Sequence, residues 1–550
     1  MLTDSDSGLG VAVPEGPQEP AEAVGPLMRG IAVIRALTEA GGAESLPELS
    51  HDVGLARATV DRILATLEAF GYARVHRREV SLTPRLMELG NAYLRSVRIP
   101  ALLGPLAEQL SESLDEVVTL TVTTADGAYL VHEATRPRKL AIVCHVGDRL
   151  PIDRSAGGAL FAATWDAEHW KRYEAGHACT HDHGDPHACA EELRRRADAA
   201  AGLGWALDDQ WLEPGLIAVG MPIHGSDGAE ACTLNVLSFT SRHATAASLA
   251  EAVLPRLRET ARRMEFTLRT TPRPTATGRS GGVRDVPQGT GVMESLARGL
   301  AMLTAFGESL ASLSIADAAR VTKLPRATVR RALITLEHLG FVSQTQGRYH
   351  PNATVLSLGY PVLTRLTLAQ IAAPHLEALS ATVGHSASLA VLHDETEIMY
   401  VARAATATRL TTIDIQIGSR LPAYATAMGR VLLAALPAAR RTKALRAAHP
   451  TRLTPHTVTD ADELLALLRQ AHQDGYSVID EELEVGLRSV ALPVRGHDGT
   501  TLAAINVAMH AGHDSERDDV AGLLTPMRAT ADAIEQDLAT VGPFHRLALM

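Results

Sequence analysis

Six histidine and cysteine residues crowd into thirteen consecutive positions of the first half of the chain, in the segment HACTHDHGDPHAC. Several of them are two residues apart, and alternate residues of an extended segment lie on the same side. Imidazole and thiolate are ligands that Zn²⁺ prefers, so a four-ligand site is one hypothesis. The spacing matches no zinc finger, and a solvated His-rich loop is the alternative. The candidate metal ligands are His177, Cys179, His181, His183, His187 and Cys189.

A second group of residues has the chemistry of a helix that contacts DNA bases. In LPRATVRRALITLEHLG the apolar residues Val329, Leu333 and Leu336 recur at helical spacing, which leaves the arginines on the opposite side. Arginine and threonine on a helix in the major groove bond to base edges and phosphates. The residues predicted to contact DNA from this helix are Arg326, Thr328, Arg330 and Arg331.

A related helix in the first half predicts DNA contacts from Arg57, Thr59 and Arg62. It is not equivalent, because Asp61 stands where the other helix has Arg330. We therefore expect the two helices to bind unequal half-sites, with further contacts from basic residues that follow the first helix. The alternative is that the arginines only form a solvated face. The basic residues of this following segment are Arg74, His76, Arg77 and Arg78.

The elements that position these side chains occur twice. Residues 29–72 align without a gap on residues 298–341, with 17 of 44 positions identical. After a two-residue slip the alignment continues through Asn235 and Asn506, so a complete unit is duplicated rather than one motif. A Pro-, Gly- and Thr-rich stretch between the copies is typical of a flexible linker.

Each copy begins with helices and a short wing and continues with alternating strand and helix patterns, as in VVTLTV and SLAVL. This order predicts an α/β multidomain chain, with two copies of a winged helix-turn-helix domain followed by an α/β domain. Long helices over residues 82–97 and 354–366 are expected to join the two parts. The predicted domains are a tail at 1–24, helix-turn-helix domains at 25–90 and 293–359, α/β domains at 91–268 and 360–543, and a linker at 269–292.

Composition limits the class of protein. A hydrophobic share of 46% excludes wholesale disorder, and four cysteines are too few for a secreted disulfide framework. The net charge of −11 means that nucleic acid must be met by local basic patches. Neither a signal peptide nor a membrane span is evident, so we expect a cytoplasmic protein without a membrane partner.

Five motifs in order resemble the IclR family of bacterial transcription regulators. They are RGLAMLTAFG, LPRATVRRALITLEHLG, RLPAYATAMGRVLLA, DEELEVGLRSVALPV and AAINVAMHA, and the likeness covers nearly all of residues 293–540. Residues 25–268 resemble the family more loosely. The resemblance implies a GAF-like α/β effector domain that binds a small organic acid, and dimeric or tetrameric assembly. Within the family, the second half looks most like regulators of protocatechuate and 4-hydroxybenzoate catabolism.

The resemblance also implies an effector pocket, and the residues that match the family's pattern are Thr426, Ala427, Met428, Asp480, Glu481, Ser489, Asn506 and Ala508. Because the N–H groups at a helix start favour anions, the segment that begins at Ala427 suits a carboxylate. Ser489 and Asn506 can bond that carboxylate or a ring hydroxyl, or they are ordinary packed residues. The matching region of the first copy, including Ala218 and Leu237, is expected to be more apolar, and loss of its ligand is left open.

These observations predict a DNA-binding transcription regulator, not an enzyme, whose DNA occupancy is controlled by a small organic acid, expected to be aromatic. The expected partners are double-stranded DNA, the carboxylate effector and either a second chain or the other half of the same chain as a pseudo-dimer. No cofactor is expected. Two alternatives remain: a metal-dependent hydrolase that uses the His/Cys loop with Asp480 and Glu481, and a ligand-sensing partner protein that has lost DNA binding.

Overall fold

The computed structural model describes residues 20–136, 138, 142–176, 186–273, 287, 289, 291–405, 415–511, 520–544 and 548. The chain divides into two compact units, residues 1–361 and 362–550. The first unit contains both helix-turn-helix domains and the first α/β domain, and the second unit is the second α/β domain. Most of the predicted tail and linker lies outside the described residues. Among the described helices, none has both the length and the apolar character needed to cross a membrane.

The first helix-turn-helix domain has three helices and a wing. The side chain of Ser45 accepts a hydrogen bond from the Glu48 N–H and so caps the second helix, while the third helix ends at Gly71 in a left-handed conformation. The wing has three strands in the order β1-β3-β2. The elements are α1 Gly25–Glu39, β1 Ala43–Ser45, α2 Leu46–Asp52, α3 Arg57–Phe70, β2 Ala73–His76 and β3 Glu79–Leu82.

The first α/β domain is built on a six-stranded antiparallel sheet of order β6-β5-β4-β9-β8-β7. The helix predicted to lead into it is split into a 3₁₀ turn at Pro84–Met87 and an α-helix. The elements are α4 Glu88–Val97, α5 Ile99–Leu114, β4 Val117–Thr124, β5 Gly127–Ala134, β6 Arg149–Leu150, α6 Ala156–Ala162, α7 Ala167–Gly176, α8 Pro186–Leu203, β7 Ala206–Asp209, β8 Leu216–His224, β9 Glu230–Phe239 and α9 Ala246–Thr270.

The second helix-turn-helix domain repeats the first with a two-stranded wing. Ser314 and Asp317 form a capping box at the start of its second helix, and Lys323 ends that helix with φ of 57°. The single long helix predicted after the wing is wrong, because a 3₁₀ turn at Ala353–Ser357 precedes only one helical turn. The elements are α10 Glu294–Thr304, α11 Ile315–Thr322, α12 Arg326–His338, β10 Val342–Thr345, β11 Arg348–Pro351 and α13 Tyr360–Leu363.

The second α/β domain has the same topology as the first, with strand order β14-β13-β12-β17-β16-β15. Asn506 faces Ser388 in its sheet as Asn235 faces Thr119 in the first, which fixes the equivalence of positions in the two domains. The elements are α14 Leu368–Val383, β12 Ser386–His393, β13 Glu397–Ala404, β14 Arg420–Pro422, α15 Ala427–Ala434, α16 Ala438–Ala448, α17 Ala461–Asp474, β15 Ser477–Asp480, β16 Leu487–Arg495, β17 Thr501–His510 and α18 Val520–Val541.

Side-chain alternation gives each sheet two different faces. In the first domain a Cβ at Gly104 of α5 would contact the ring of His132, whereas a Cβ at Gly157 of α6 would contact Thr121 Oγ1. Since His132 lies opposite Leu120 and neighbouring residues of a strand point to opposite faces, α5 and α6 lie on opposite sides of the sheet. In the second domain α15 packs on the face that carries Ala390 and Ala504. This face contains the cavity described below.

The two helix-turn-helix domains pack against each other within the first unit through a reciprocal pair of hydrogen bonds. The Val24 N–H donates to Thr335 Oγ1 and the Met293 N–H donates to Thr66 Oγ1, both at 2.9 Å. Thr66 and Thr335 occupy the same position in α3 and α12, and each hydroxyl also donates to a carbonyl of its own helix. Both threonines are completely buried. The interface therefore has approximate twofold symmetry.

Helices α1 and α10 approach closely at the centre of this interface. A Cβ at Gly30 would collide with the side chain of Leu296, and a Cβ at Gly299 would collide with Leu27 in the same way. Both leucines are completely buried. The two glycines stand at equivalent positions inside helices, where glycine lowers stability. Their role is therefore to let the two helices approach closely.

Tyr360 anchors the end of the second helix-turn-helix domain in the first unit. Its ring is completely buried, its hydroxyl donates to Asn91 Oδ1, and a Cβ at Gly90 would collide with the ring. A Cβ added at Gly147 of the first α/β domain would lie 2.7 Å from Tyr360 Cβ. Nearby, Thr354 Oγ1 donates to Asp126 Oδ1 at 3.3 Å. The first α/β domain thus contacts the segment that follows the second wing.

Tyr360→Ala should lower the free energy of unfolding of the first unit by about 3 to 5 kcal/mol, because it removes a fully buried aromatic ring and leaves a cavity. Urea denaturation followed by circular dichroism would measure the change. Tyr476→Ala, at a partly exposed tyrosine of the second unit, is the matched control and should have a smaller effect. Equal losses in the two variants would contradict the anchoring role of Tyr360.

Candidate nucleic-acid interface and ligand cavity

Helix α12 presents its predicted DNA-contacting residues to solvent. Arg326, Arg330 and Arg331 are exposed and Thr328 is partly exposed, while Val329 and the other apolar positions are buried. Arg330 lies 3.2 Å from Glu22, a contact in which both side chains remain about half exposed. The helix therefore has a basic outer face and an apolar inner face, which is the arrangement that insertion into a major groove requires.

Helix α3 has the same exposed face with a different charge. Arg57 and Arg62 are exposed, but Asp61 lies 3.9 Å from Arg57 and offsets part of its charge. The following wing partly compensates, since His76, Arg77 and Arg78 at its tip are exposed and Arg74 is partly exposed. In the other wing Arg348 is held by Ser312 and Asp317. The two domains thus distribute their basic residues differently between helix and wing.

The hypothetical metal loop falls mainly outside the described residues. His177, Cys179, His181 and His183 lie outside them, and His187 belongs to α8 without a described side chain. Cys189 is disulfide-bonded, so its sulfur is not a free thiolate ligand. In the part of the chain that the structure describes, no three His, Cys, Asp or Glu side chains are grouped as a metal site requires.

A small cavity of about 20 Å³ lies in the second α/β domain, between α15 and the ends of β15, β16 and β17. It contains six of the eight residues that the sequence predicted for an effector pocket. Its walls are mostly apolar, with a few polar groups at one edge. At this volume the cavity has room for about one water molecule, so its walls must move apart to admit an organic acid. The lining residues are Tyr400, Ile415, Thr426, Ala427, Met428, Ile479, Leu483, Leu487, Ser489, Asn506 and Ala508.

The start of helix α15 forms one wall of this cavity. Thr426 caps the helix by accepting a hydrogen bond from the Gly429 N–H at 3.1 Å, and the next two residues, Ala427 and Met428, line the cavity. A Cβ at Gly429 would collide with the Ala423 carbonyl, so glycine lets the helix start come close to the preceding turn. The N–H groups of a first helical turn point away from the helix and attract an anion.

The polar edge of the cavity comes from two adjacent strands. Ser489 of β16 pairs with Ala508 of β17, and Asn506 lies two residues along β17, so all three share one face. Ser489 and Asn506 are each 5% exposed. The Oδ1 atom of Asn506 has no hydrogen-bond partner in the described structure, although it is fully buried. A buried acceptor without a partner costs about 1 to 3 kcal/mol, which a ligand donor would recover.

The structure places Asp480 and Glu481 outside the cavity, which corrects the sequence prediction. Asp480 follows the cavity residue Ile479 on β15, so its side chain points to the other side and forms an exposed ion pair with Arg488 at 2.7 Å. Glu481 has a left-handed backbone with φ of 56°, and its carboxylate accepts the Gly486 N–H at 2.9 Å. Its role is to close a turn.

The important carboxylate of this segment is instead Glu482, which the sequence prediction missed. Arg430 donates two hydrogen bonds to it, at 2.7 and 2.5 Å, and a third to the Tyr424 carbonyl at 3.0 Å. The two side chains are 3% and 11% exposed. This pair joins α15 to the loop that carries Leu483 and so fixes two walls of the cavity. The signal in the sequence that could have identified this pair is Arg430, an arginine on an otherwise apolar helix.

The apolar lining residues Tyr400, Ile415, Ile479, Leu483 and Leu487 were also missed. No sequence pattern separates them from core residues, because the cavity is only a gap between ordinary apolar side chains. The first α/β domain differs at several of these positions. Ala218 and Leu237 stand where the second domain has Ser489 and Ala508, but Thr121 and Thr233 are buried nearby in place of Ala390 and Ala504.

Comparison with known proteins gives two family matches, each occurring twice. The model described as Bacterial transcriptional regulator IclR C-terminal matches residues 91–265 and 360–536. The model described as IclR helix-turn-helix domain matches residues 26–77 and 295–346. The C-terminal model alone covers more than half of the chain.

Similar individual proteins include regulators of aromatic-acid catabolism. The Pca regulon regulatory protein of Pseudomonas putida is 42% identical over 220 residues, which are 40% of this chain and 75% of that protein. The p-hydroxybenzoate hydroxylase transcriptional activator of Acinetobacter baylyi is 34% identical over 215 residues, 38% of this chain and 79% of that protein. A crystal structure of a transcriptional regulator from Rhodococcus sp. RHA1 is 46% identical, with a TM-score of 0.43, and covers 45% of this chain and 99% of that one.

Glu482→Gln should lower the free energy of unfolding of the second α/β domain by about 3 to 5 kcal/mol, because it leaves the Arg430 charge buried without a counter-ion. Asp480→Asn is the matched control, since it removes the neighbouring carboxylate from an exposed pair worth about 0 to 1 kcal/mol. Urea denaturation of both variants would measure the difference. Comparable stabilities would show that the buried pair does not hold the domain together.

Proposed function

Because the chain belongs to the IclR family of bacterial transcriptional regulators, with both family domains present twice, we propose that it binds an operator in double-stranded DNA under the control of a small aromatic carboxylate. The family describes regulators and not enzymes, which removes the hydrolase alternative. The observation that carries the proposal is the combination of two exposed basic helices with a buried cavity whose polar edge is unsatisfied. Its site of action is the bacterial cytoplasm.

In this proposal one chain supplies both DNA-binding domains of a dimeric regulator. The reciprocal hydrogen bonds at Thr66 and Thr335 support it, since they join equivalent positions of the two domains within one unit. Covalent connection replaces association of two chains, so the pair forms at any protein concentration. The number of chains on an operator is then one, unless the α/β domains bring a second chain.

The two halves of the operator are expected to differ. Asp61 repels phosphate and base acceptors at the position where Arg330 attracts them, so the α3 half-site depends more on the wing residues Arg77 and Arg78. A chain with two different recognition helices in a fixed order is expected to bind an operator with two different half-sites rather than a palindrome. This property separates it from a regulator built of two identical chains.

The proposed effector is an aromatic acid with a ring hydroxyl. The start of α15 suits the carboxylate, the apolar walls suit the ring, and the unpaired Oδ1 of Asn506 requires a donor such as a hydroxyl. The names of the two relatives above point to protocatechuate or p-hydroxybenzoate metabolism, and these acids have the required groups. The DNA-binding domains can adopt arrangements that bind the operator with different affinities. The effector acts by binding one of these arrangements more tightly than the others.

Replacing Arg326 and Arg331 by Gln should weaken operator binding and its salt dependence, with the log–log slope falling by roughly 0.9 for each lost phosphate contact. Fluorescence anisotropy at several salt concentrations would measure the slope. The control replaces Arg446 and Arg469, two exposed arginines of the second α/β domain, and should keep the slope of the parent. A double α12 variant with the parental slope would exclude that helix from the interface.

Replacing Ser489 by Ala and Asn506 by Leu should abolish the stabilisation by 4-hydroxybenzoate, which at 100 times its dissociation constant amounts to about 2.7 kcal/mol in the parent. Thermal unfolding with and without the acid gives the readout. Asp480→Asn with Glu481→Gln is the control, because these side chains lie outside the cavity and the response should survive. A response lost in the control and kept in the cavity variant would place the effector elsewhere.

A further inference from the structure

The two α/β domains carry an asparagine at the same position of the sheet, but the hydrogen bonds of the two amide nitrogens differ. In the first domain the Asn235 Nδ2 donates to Thr121 Oγ1 at 3.1 Å and to the Thr233 carbonyl at 3.4 Å. In the second domain the residue in place of Thr121 is Ala390, which offers no acceptor to the Asn506 Nδ2. Separately, the Asn506 Oδ1 has no partner in the described structure. The nitrogen of the first amide is thus used within the protein.

A buried carboxyl group replaces an apolar wall residue in the first domain. Asp208 pairs with Ala218 on the neighbouring strand, as Ile479 pairs with Ser489 in the second domain. Asp208 is 2% exposed and accepts the Trp211 N–H at 2.8 Å, and burial raises the pKa of its carboxyl to about 6. Above that pH the group is mainly ionised, and the buried Arg196 guanidinium offsets part of its charge. The site is therefore polar and charged at the place where the second domain offers an isoleucine, which disfavours an apolar ring.

The space beside the helix start also differs. Gly157 takes the place of Met428, and a Cβ there would lie 3.2 Å from Thr121 Oγ1 and 3.5 Å from both Thr123 Oγ1 and Thr233 Oγ1. The three hydroxyls converge on this point of α6. The equivalent residues of the second domain are all apolar, namely Ala390, Leu392 and Ala504.

We propose that the two α/β domains have divided their roles, so that the second binds the organic acid, one molecule per chain, and the first rejects it and serves as a scaffold for the second DNA-binding domain. The proposal rests on the proposed function, because it concerns the same class of ligand. The rejecting groups are Asp208 and the Thr121–Asn235 pair. In the second domain Ile479 and Ser489 line the cavity, and Ala390 offers the Asn506 amide no hydroxyl.

The scaffold role follows from contacts within the first unit. Gly147 and Asp126 belong to the first α/β domain, and they contact Tyr360 and Thr354, which follow the second wing. A domain that holds this segment continuously has a function without any ligand. Selection can then keep its fold while the residues of its former pocket change to internal hydrogen-bond partners.

Isothermal titration of the full chain with 4-hydroxybenzoate at pH 7.5 tests the division of roles, and native mass spectrometry gives an independent count of bound molecules. The expected result is one site per chain. Asn506→Leu should reduce binding at least 100-fold, whereas Asn235→Leu should leave the affinity and the count unchanged. Thr121→Val serves as a second variant of the first domain if Asn235→Leu does not fold, as judged by circular dichroism.

Two molecules per chain, or loss of binding in a folded Asn235→Leu or Thr121→Val variant, would overturn the division of roles and leave the proposed function intact. Absence of binding by the parent to 4-hydroxybenzoate, protocatechuate and benzoate would overturn both proposals. One site that survives Asn506→Leu and disappears in a first-domain variant would reverse the assignment of the two domains. The three failures are therefore distinguishable in one set of titrations.

Discussion

The close approach of α1 and α10 is the constraint on which the DNA-binding half of the molecule depends. Two helices can meet at this distance only where each presents a glycine to a leucine of the other, as Gly30 and Gly299 do with Leu296 and Leu27. The reciprocal bonds to Thr66 and Thr335 then connect this interface directly to the recognition helices α3 and α12. The packing that pairs the domains also fixes the mutual orientation of the helices proposed to contact DNA.

The duplication kept this constraint while the surfaces around it changed. Interface positions need the same small or hydroxylic residue in both copies, because a change in one would leave a clash or an unpaired N–H. The outer face of each recognition helix is free of that requirement, and there Asp61 replaces the counterpart of Arg330. An acidic chain with a net charge of −11 can therefore hold two unequal basic patches on a nearly symmetric framework.

The α/β domains show the same principle in their interiors. In the second domain the Tyr424 carbonyl accepts a hydrogen bond from Arg430 of α15, whereas the equivalent Asp153 carbonyl in the first domain accepts one from Arg196 of α8. Both guanidinium groups are buried. In both domains a carbonyl just before α6 or α15 accepts a hydrogen bond from a buried arginine. The arginine that donates it comes from a different helix in each domain.

The sequence by itself determined the repeat, the order of the domains, the family and the recognition helices, because these depend on local periodicity and on motifs that are contiguous in the chain. It also located most polar residues of the cavity. Only the tertiary structure decided that Asp480 and Glu481 lie outside the cavity and that Glu482 is the buried partner of Arg430, since strand alternation and a left-handed residue redirect three adjacent carboxylates. The hydrogen-bond partners open to the Asn506 amide likewise depend on β12, a strand more than a hundred residues away in sequence.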